Sequence, residues 1–245
     1  MTAPPLRPSV WINVAASVDG RIAFHGGARA RLSGPQDLVR VHRLRAESDG
    51  IVVGAGTVRI DDPSLQVKWE TIGPTAGRPP TRVIVVGTGE IPPSARVLDG
   101  SAPTIVALPR RAPKRHWPPH VEAVEAGEDR VDLLELWTVL AARGMRRLLV
   151  EGGARLIASV VSAGAFDRLT VYVAPVVIGA EGAPPIVGGR AAGGFEEARG
   201  LTLLGVERID DGYVASYAPR TRAAGADGPA PLINPGRSGG STERP

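Results

Sequence analysis

Apolar residues in this chain come in short runs, broken by turn formers and by stretches of helical spacing. Residues 10–16, INVAA with its flanks, read as a first strand. Residues 35–47 carry Leu38, Val41 and Leu44 on one helical face; Ser33 is the expected N-cap, with Gln36 three residues on completing a capping box. A buried strand is expected at 50–53, and further strands at 82–86 and 104–108. Residues 131–143 repeat apolar side chains at helical spacing (Val131, Leu134, Leu136, Trp137, Leu140) up to Gly144. A strand at 147–150 and a helix at 154–163, with Gly164 after its end, follow. Beyond that the pattern changes: 167–178, 201–209 and 213–218 are strand-like, with no long helix between them. The pattern predicts an α/β fold, a mostly parallel central sheet flanked by helices with antiparallel C-terminal strands. The Pro-rich stretches 73–80 and 110–119 are expected to connect elements.

Three of these strands run into glycines: Gly54-Ala55-Gly56-Thr57, Gly87-Thr88-Gly89 and Glu151-Gly152-Gly153. Glycine permits positive φ and close backbone approach. In an open α/β sheet, ligands bind at the carboxyl ends of the strands, where such junctions lie. Three together suit a dinucleotide, whose pyrophosphate needs several N–H donors. None completes G-x-G-x-x-G, since Arg59 stands where the third glycine belongs, and no P-loop is present. Candidate acids are Asp19, Asp61, Asp62 and Glu151. Asp61-Asp62-Pro63 follows Thr57 within about one helical turn. Asp62, next to proline, is expected to hold a turn. Glu151 sits between apolar LLV and two glycines, where a carboxylate is costly unless it is paired or binds something.

The 245 residues are expected to form one domain over 8–218, preceded by a Pro-rich lead and followed by a disordered tail at 219–245, rich in small, Pro, Gly and polar residues. No apolar run approaches the ~20 residues of a membrane span, and no secretory signal is evident, so a cytoplasmic location is expected. The absence of cysteine excludes disulfides and a cysteine nucleophile. His25, His42, His116 and His120 show no metal-ligand spacing, and no nucleophile elbow is present. The net charge is +4, but the basic residues form no run of five or more, so no nucleic-acid partner is expected.

Five segments then resemble one family in order along the chain. They are VWINVAASVDGRIA (10–23), VHRLRAESDGIVVGAGTVRIDDPSLQV (41–67), PTRVIVVGTGEIP (80–92), LLVEGGARL (148–156) and DRLTVYVAPVVIG (167–179). They resemble the riboflavin-biosynthesis pyrimidine reductases, in their stand-alone archaeal form and as the reductase domain of bifunctional deaminase-reductases. The resemblance implies a dihydrofolate-reductase-like fold. It implies NADPH-dependent reduction of the ribosyl group of 2,5-diamino-6-ribosylamino-4(3H)-pyrimidinone 5′-phosphate, or its deaminated form, to the ribityl product. Competing readings are a related enzyme acting on a pterin and a non-catalytic dinucleotide-binding module.

By resemblance, Ala15, Thr57 and Asp61 contact NADPH near its nicotinamide end. Val86, Gly87, Thr88 and Gly89 hold the adenosine ribose and its 2′-phosphate. Gly152, Gly153, Ala154 and Arg155 lie under the pyrophosphate. Arg45, Leu65, Lys68 and Glu151 match substrate positions, with Arg45 and Lys68 as cations for the substrate phosphate. Asp61 and Glu151 are the candidate catalytic acids, and Asp19 is expected to be structural. Two departures stand out. Gly87 replaces a frequent serine, leaving Thr88 or Arg96 as alternative 2′-phosphate contacts, and ARAR (28–31) replaces a serine-containing stretch. The resemblance further implies a homodimer through the C-terminal strands. The zinc deaminase signature of bacterial relatives needs cysteines, so deamination is expected to fall to another protein.

Overall fold

A nine-stranded sheet runs through the chain in the order β5-β4-β3-β2-β6-β1-β7-β9-β8. Its strands are β1 (Ser9–Ser17), β2 (Gly50–Gly54), β3 (Thr81–Val85), β4 (Thr104–Leu108), β5 (Val121–Glu125), β6 (Arg147–Gly152), β7 (Arg168–Ala174), β8 (Leu201–Ile209) and β9 (Gly212–Pro219). The computed structural model describes residues 7–73, 77–87, 89–194 and 196–220. Strands β5 to β7 in that order are all parallel, and the β8–β9 hairpin adds to β7 in antiparallel fashion. This is the architecture the hydrophobic pattern predicts. β6 inserts between β1 and β2, and the carboxyl ends of these strands converge on one edge.

The helices are α1 (Pro35–Ala46), α2 (Ala55–Asp61), the single turn α3 (Trp69–Ile72), α4 (Leu133–Ala142) and α5 (Ala154–Ser162). Leu133, Leu136, Trp137 and Leu140 of α4 and Leu156, Ile157 and Val160 of α5 form one core with Ile12, Val52 and Val150. A second core gathers Ile51, Val53, Val58, Leu65, Ile84 and Val106. Ile51 and Val53 belong to one core and Val52 to the other, so β2 is buried on both faces, as a central parallel strand requires. Asp132 caps α4, accepting the Leu134 and Glu135 N–H groups at 2.9 and 3.0 Å.

The start of α1 differs from expectation. Ser33 does not cap it; the N-cap is Gly34, without a side-chain bond of its own. The carboxylate of Asp210, in the β8–β9 turn, instead accepts the N–H groups of Gln36 and Asp37 at 3.1 and 2.9 Å. Gly34 permits that approach: a Cβ there would sit 2.6 Å from the Asp210 carboxyl carbon. α1 is also rotated from the expected face. Asp37 and His42 are buried, whereas Leu38 is exposed. One further difference concerns the β3–β5 edge. Among the described residues, β3 and β4 are joined by a stretch whose one helical turn is the 3-10 turn Arg96–Leu98, and residues 121–125, where no element was expected, form the edge strand β5. The last apolar residues expected in β7, Val176 and Val177, lie beyond its end and are exposed.

Candidate active site

A cleft of about 860 Å³ opens at the carboxyl ends of β1, β2, β3 and β6. Ala15, Gly54, Gly56, Thr57, Asp61, Gly152, Gly153, Ala154 and Arg155 all line it. α2 starts directly after Gly54 and α5 directly after Gly153, and neither N-terminus is capped by a side chain. The first amides of α5 therefore present N–H groups to a ligand. Gly153 has φ 87°, and a Cβ there would stand 3.1 Å from Thr57 Oγ1. The Thr57 side chain thus spans from α2 to the start of α5, and bare backbone at Gly153 is what lets it do so.

Glu151 enters from an irregularity in β6. Val52 pairs with Val150 but Val53 pairs with Gly152, so Glu151 is the extra residue of a bulge. Arg45, from the last turn of α1, grips it: Nε donates to Oε1 and Nη2 to Oε2, both at 2.7 Å. Arg45 Nη1 also donates to the Gln66 carbonyl at 2.9 Å. Burial opposes the Arg45 charge, but the attraction and hydrogen bonds of Glu151 outweigh it and raise its pKa. The costly carboxylate is therefore paired within the chain, and the arginine expected to meet a phosphate has most of its fork committed.

Asp61 closes α2 and lines the same cleft. Burial pushes its carboxyl above the ordinary value, while Arg29 across the cleft pulls it down. Its neighbour Asp62 does hold the turn, in the left-handed conformation at φ 39°, and accepts the Arg96 N–H at 2.8 Å. Asp19 is structural: it accepts Ser17 Oγ at 2.6 Å and the N–H groups of Ile178 and Gly179. These bonds, the Ser17 one first, bring its pKa to about 2.

Gly87 and Gly89 line the far part of the cleft; Val86 is buried behind them, and Thr88 falls outside the described residues. Two arginines bind this loop's backbone. Arg59 Nη1 donates to the Glu90 carbonyl at 3.0 Å and Arg115 Nη1 to the Gly89 carbonyl at 2.9 Å. Leu65 lines the cleft in a buried left-handed conformation, φ 53°. A non-glycine in that region costs on the order of 1–3 kcal/mol and persists where its surroundings dictate it. Lys68 is exposed and is not part of the cleft wall; neither is Arg96.

Sequence reasoning missed Asn13 and Arg130, which also line the cleft, and gave no role to Arg29, which lines it from within the departing ARAR stretch. Strand alternation held a signal for Asn13, a lone polar residue inside an apolar β1. Arg130 had none, because arginines are scattered throughout. Among the described residues, no group of three or more His, Asp or Glu side chains is placed to hold a metal ion, and no helix is long and apolar enough to cross a membrane.

This geometry has named counterparts. Residues 8–215 match the RibD C-terminal domain family, and the chain belongs to that family. It is 38% identical over 219 residues to the 2,5-diamino-6-ribosylamino-4(3H)-pyrimidinone 5′-phosphate reductase of Archaeoglobus fulgidus, covering 86% of this chain and 98% of that one. The reductase of the same name from Methanothermobacter thermautotrophicus is 36% identical, with the same coverage of both chains. Among solved structures, the deaminase/5-amino-6-(5-phosphoribosylamino)uracil reductase of Thermotoga maritima superposes with a TM-score of 0.72 at 25% identity. That match covers 87% of this chain and 57% of the Thermotoga chain, so the present chain spans little more than half of that protein. Relatives named as reductases support an oxidoreductase acting in riboflavin biosynthesis.

Proposed function

We propose that this protein is an NADPH-dependent reductase. It converts the ribosyl group of 2,5-diamino-6-ribosylamino-4(3H)-pyrimidinone 5′-phosphate, or of its deaminated form, to the ribityl product. The observation that carries this reading is the meeting, in one cleft, of the uncapped start of α5 at Gly153 with the Asp61 carboxyl, whose burial favours its protonated form. Similarity along nearly the whole length of reductases with this named substrate supports it.

The residues present fit NADPH. The Gly152–Arg155 backbone would hold the pyrophosphate, Ala15 and Thr57 the nicotinamide end, and Val86, Gly87, Thr88 and Gly89 the adenosine ribose. Arg59 and Arg115, already bound to that loop, supply charge for the 2′-phosphate that Gly87 cannot contact with a side chain. When bound, NADPH supplies a hydride for C1′ of the opened ribose.

The protein's own share is positioning and proton supply. Asp61 holds a proton at its carboxyl. Glu151, with both oxygens engaged by Arg45, orients the substrate, and Leu65 shapes the wall beside it. Arg29 at the cleft and the exposed Lys68 would meet the 5′-phosphate, with Arg45 contributing its remaining N–H groups.

We also infer that residues 8–218 act as one cytoplasmic reductase domain that forms a homodimer through the hairpin edge. β8 is an outer strand with Leu203, Leu204 and Val206 exposed. NADPH oxidation with the aminated and deaminated pyrimidine phosphates, with NADH and dihydrofolate as comparators, tests the activity. Turnover with one of the pyrimidines and a preference for NADPH support it; equal kcat/KM for NADH and NADPH removes the 2′-phosphate assignment. Sedimentation analysis tests the dimer.

A further inference from the structure

Asn13 is 6% exposed and its Oδ1 is buried without a hydrogen-bond partner, yet the residue lines the cleft. An unsatisfied buried acceptor costs about 1–3 kcal/mol, and among the described residues the buried atoms without a hydrogen-bond partner are Arg21 Nε, Asp37 Oδ2, Arg40 Nη2 and Asn13 Oδ1, of which only the last belongs to a residue of the cleft, where a ligand's donor can reach it. Its place narrows which donor that is. Ile12 of β1 pairs with Val150 of β6, and both belong to the apolar core. Asn13 and Glu151 are the next residues along these two strands. Since successive side chains alternate, Asn13 turns to the face opposite Ile12. On its other side Asn13 pairs with Thr170 of β7, which is also buried. Arg45 takes one bond on each oxygen of Glu151, whereas the Asn13 amide oxygen, buried at the same end of the cleft, has no partner at all. The glycine junctions that suit a dinucleotide's phosphates follow β2, β3 and β6, while Ala15, the expected nicotinamide contact, lies two residues on from Asn13 on the same face of β1.

We propose that Asn13 is a substrate-binding residue, whose amide oxygen accepts a hydrogen bond from an O–H or N–H group next to the reacting carbon of the ribosylamino substrate. This rests on the reductase reading of the cleft. The substrate then satisfies an atom that the free protein leaves unpaired, and a substrate lacking that donor is disfavoured.

Asn13→Leu, close in shape and apolar, and Asn13→Ala test it in the full chain. Three quantities are read: thermal midpoint, NADPH dissociation constant, and kcat and KM for the pyrimidine phosphate. Removing a buried unpaired acceptor is neutral or stabilising, so the Leu variant should melt at or above the wild-type temperature. Its NADPH affinity should stay within about two-fold, while kcat/KM for the pyrimidine falls by about ten-fold or more. The Ala variant should show the same kinetic loss whatever its melting temperature. A lower melting point for Asn13→Leu with unchanged kinetics would mean a structural role and overturn the proposal. So would unchanged kinetics alone, or a loss confined to NADPH affinity. Wild-type turnover is the separate control: if it is absent, the reductase reading fails, whereas a normal wild type with unaffected variants refutes the role of Asn13 only.

Discussion

Arg45 holds Glu151 in a two-pronged grip across 106 residues of sequence, with both hydrogen bonds at 2.7 Å. Both side chains are largely buried, at 16% and 10% exposure. Removing one partner from such a pair strands the other, at a cost of about 3 kcal/mol or more. Arg45→Ala is therefore expected to lower the unfolding free energy by about that amount in a denaturant titration. Arg45→Lys keeps the charge but loses the fork. It should remain folded with kcat/KM reduced about ten-fold or more, and a lysine variant of normal activity would show that Glu151 needs no orientation.

Asp61 carries the pH dependence. Burial raises its pKa, so its protonated form survives above the ordinary carboxyl range of 3.8. If Asp61 supplies the proton, kcat should fall on an alkaline limb as Asp61 ionises. Arg29 favours the ionised form, so Arg29→Gln should move that limb to higher pH. Asp61→Asn should abolish the limb and lower kcat by about 10²-fold. A pH profile unchanged by either substitution excludes Asp61 from the role.

A Cβ on Gly153 would stand 3.1 Å from Thr57 Oγ1, so Thr57 would have to yield by a few tenths of an ångström. The φ of 87° at Gly153 also disfavours any L side chain. Gly153→Ala is expected to shift the start of α5 and weaken NADPH binding about ten-fold, read by fluorescence titration, with little change in far-UV circular dichroism. Undiminished affinity would place the pyrophosphate elsewhere.

Arg82 tests the scaffold apart from the chemistry. It is fully buried in β3 and donates to Thr104 Oγ1, the Ala102 and Arg96 carbonyls, and Asp99. Arg82→Met leaves several acceptors unsatisfied and should cost about 2–4 kcal/mol in stability, while leaving kcat per folded molecule unchanged. Asp99 resists its own partial desolvation because Ser101 and Arg82 bond to it, and its pKa is about 2. A lowered carboxyl pKa gives stability that is complete above the ordinary value and lost as pH falls through the folded one. Acid unfolding of Arg82→Met should therefore begin at higher pH than in the wild type.

The parts of the site that the sequence exposes are those written in neighbouring residues. Glu151-Gly152-Gly153 announces a strand-to-helix junction because both glycines take positive φ, 148° and 87°, while Gly54-Ala55-Gly56-Thr57 marks a second junction with an ordinary φ of −84° at Gly54. What brings them together is topology: β6 lies between β1 and β2 only after long crossovers, so the Thr57–Gly153 contact has no local trace. The Asp210 cap on α1 is likewise 173 residues from the N–H of Asp37. A plausible local cap, Ser33 with Gln36, stood in its place and was the wrong one. β5 escaped notice because it is short and acidic at an edge, with only Val121 and Val124 turned inward. Arg130 was hidden by composition, since one arginine among many carries no pattern until its place in the cleft is known.

The central claim is hydride delivery to the sugar carbon of a pyrimidine phosphate, and isotope transfer reads it most directly. NADPH deuterated at the transferring C4 position would be incubated with the wild-type protein and the ribosylamino-pyrimidine 5′-phosphate, and the product analysed by mass spectrometry and NMR. The expected result is one deuterium per product molecule, located at C1′ of a ribityl chain. A pyrimidine recovered without deuterium, in either its aminated or its deaminated form, would contradict it.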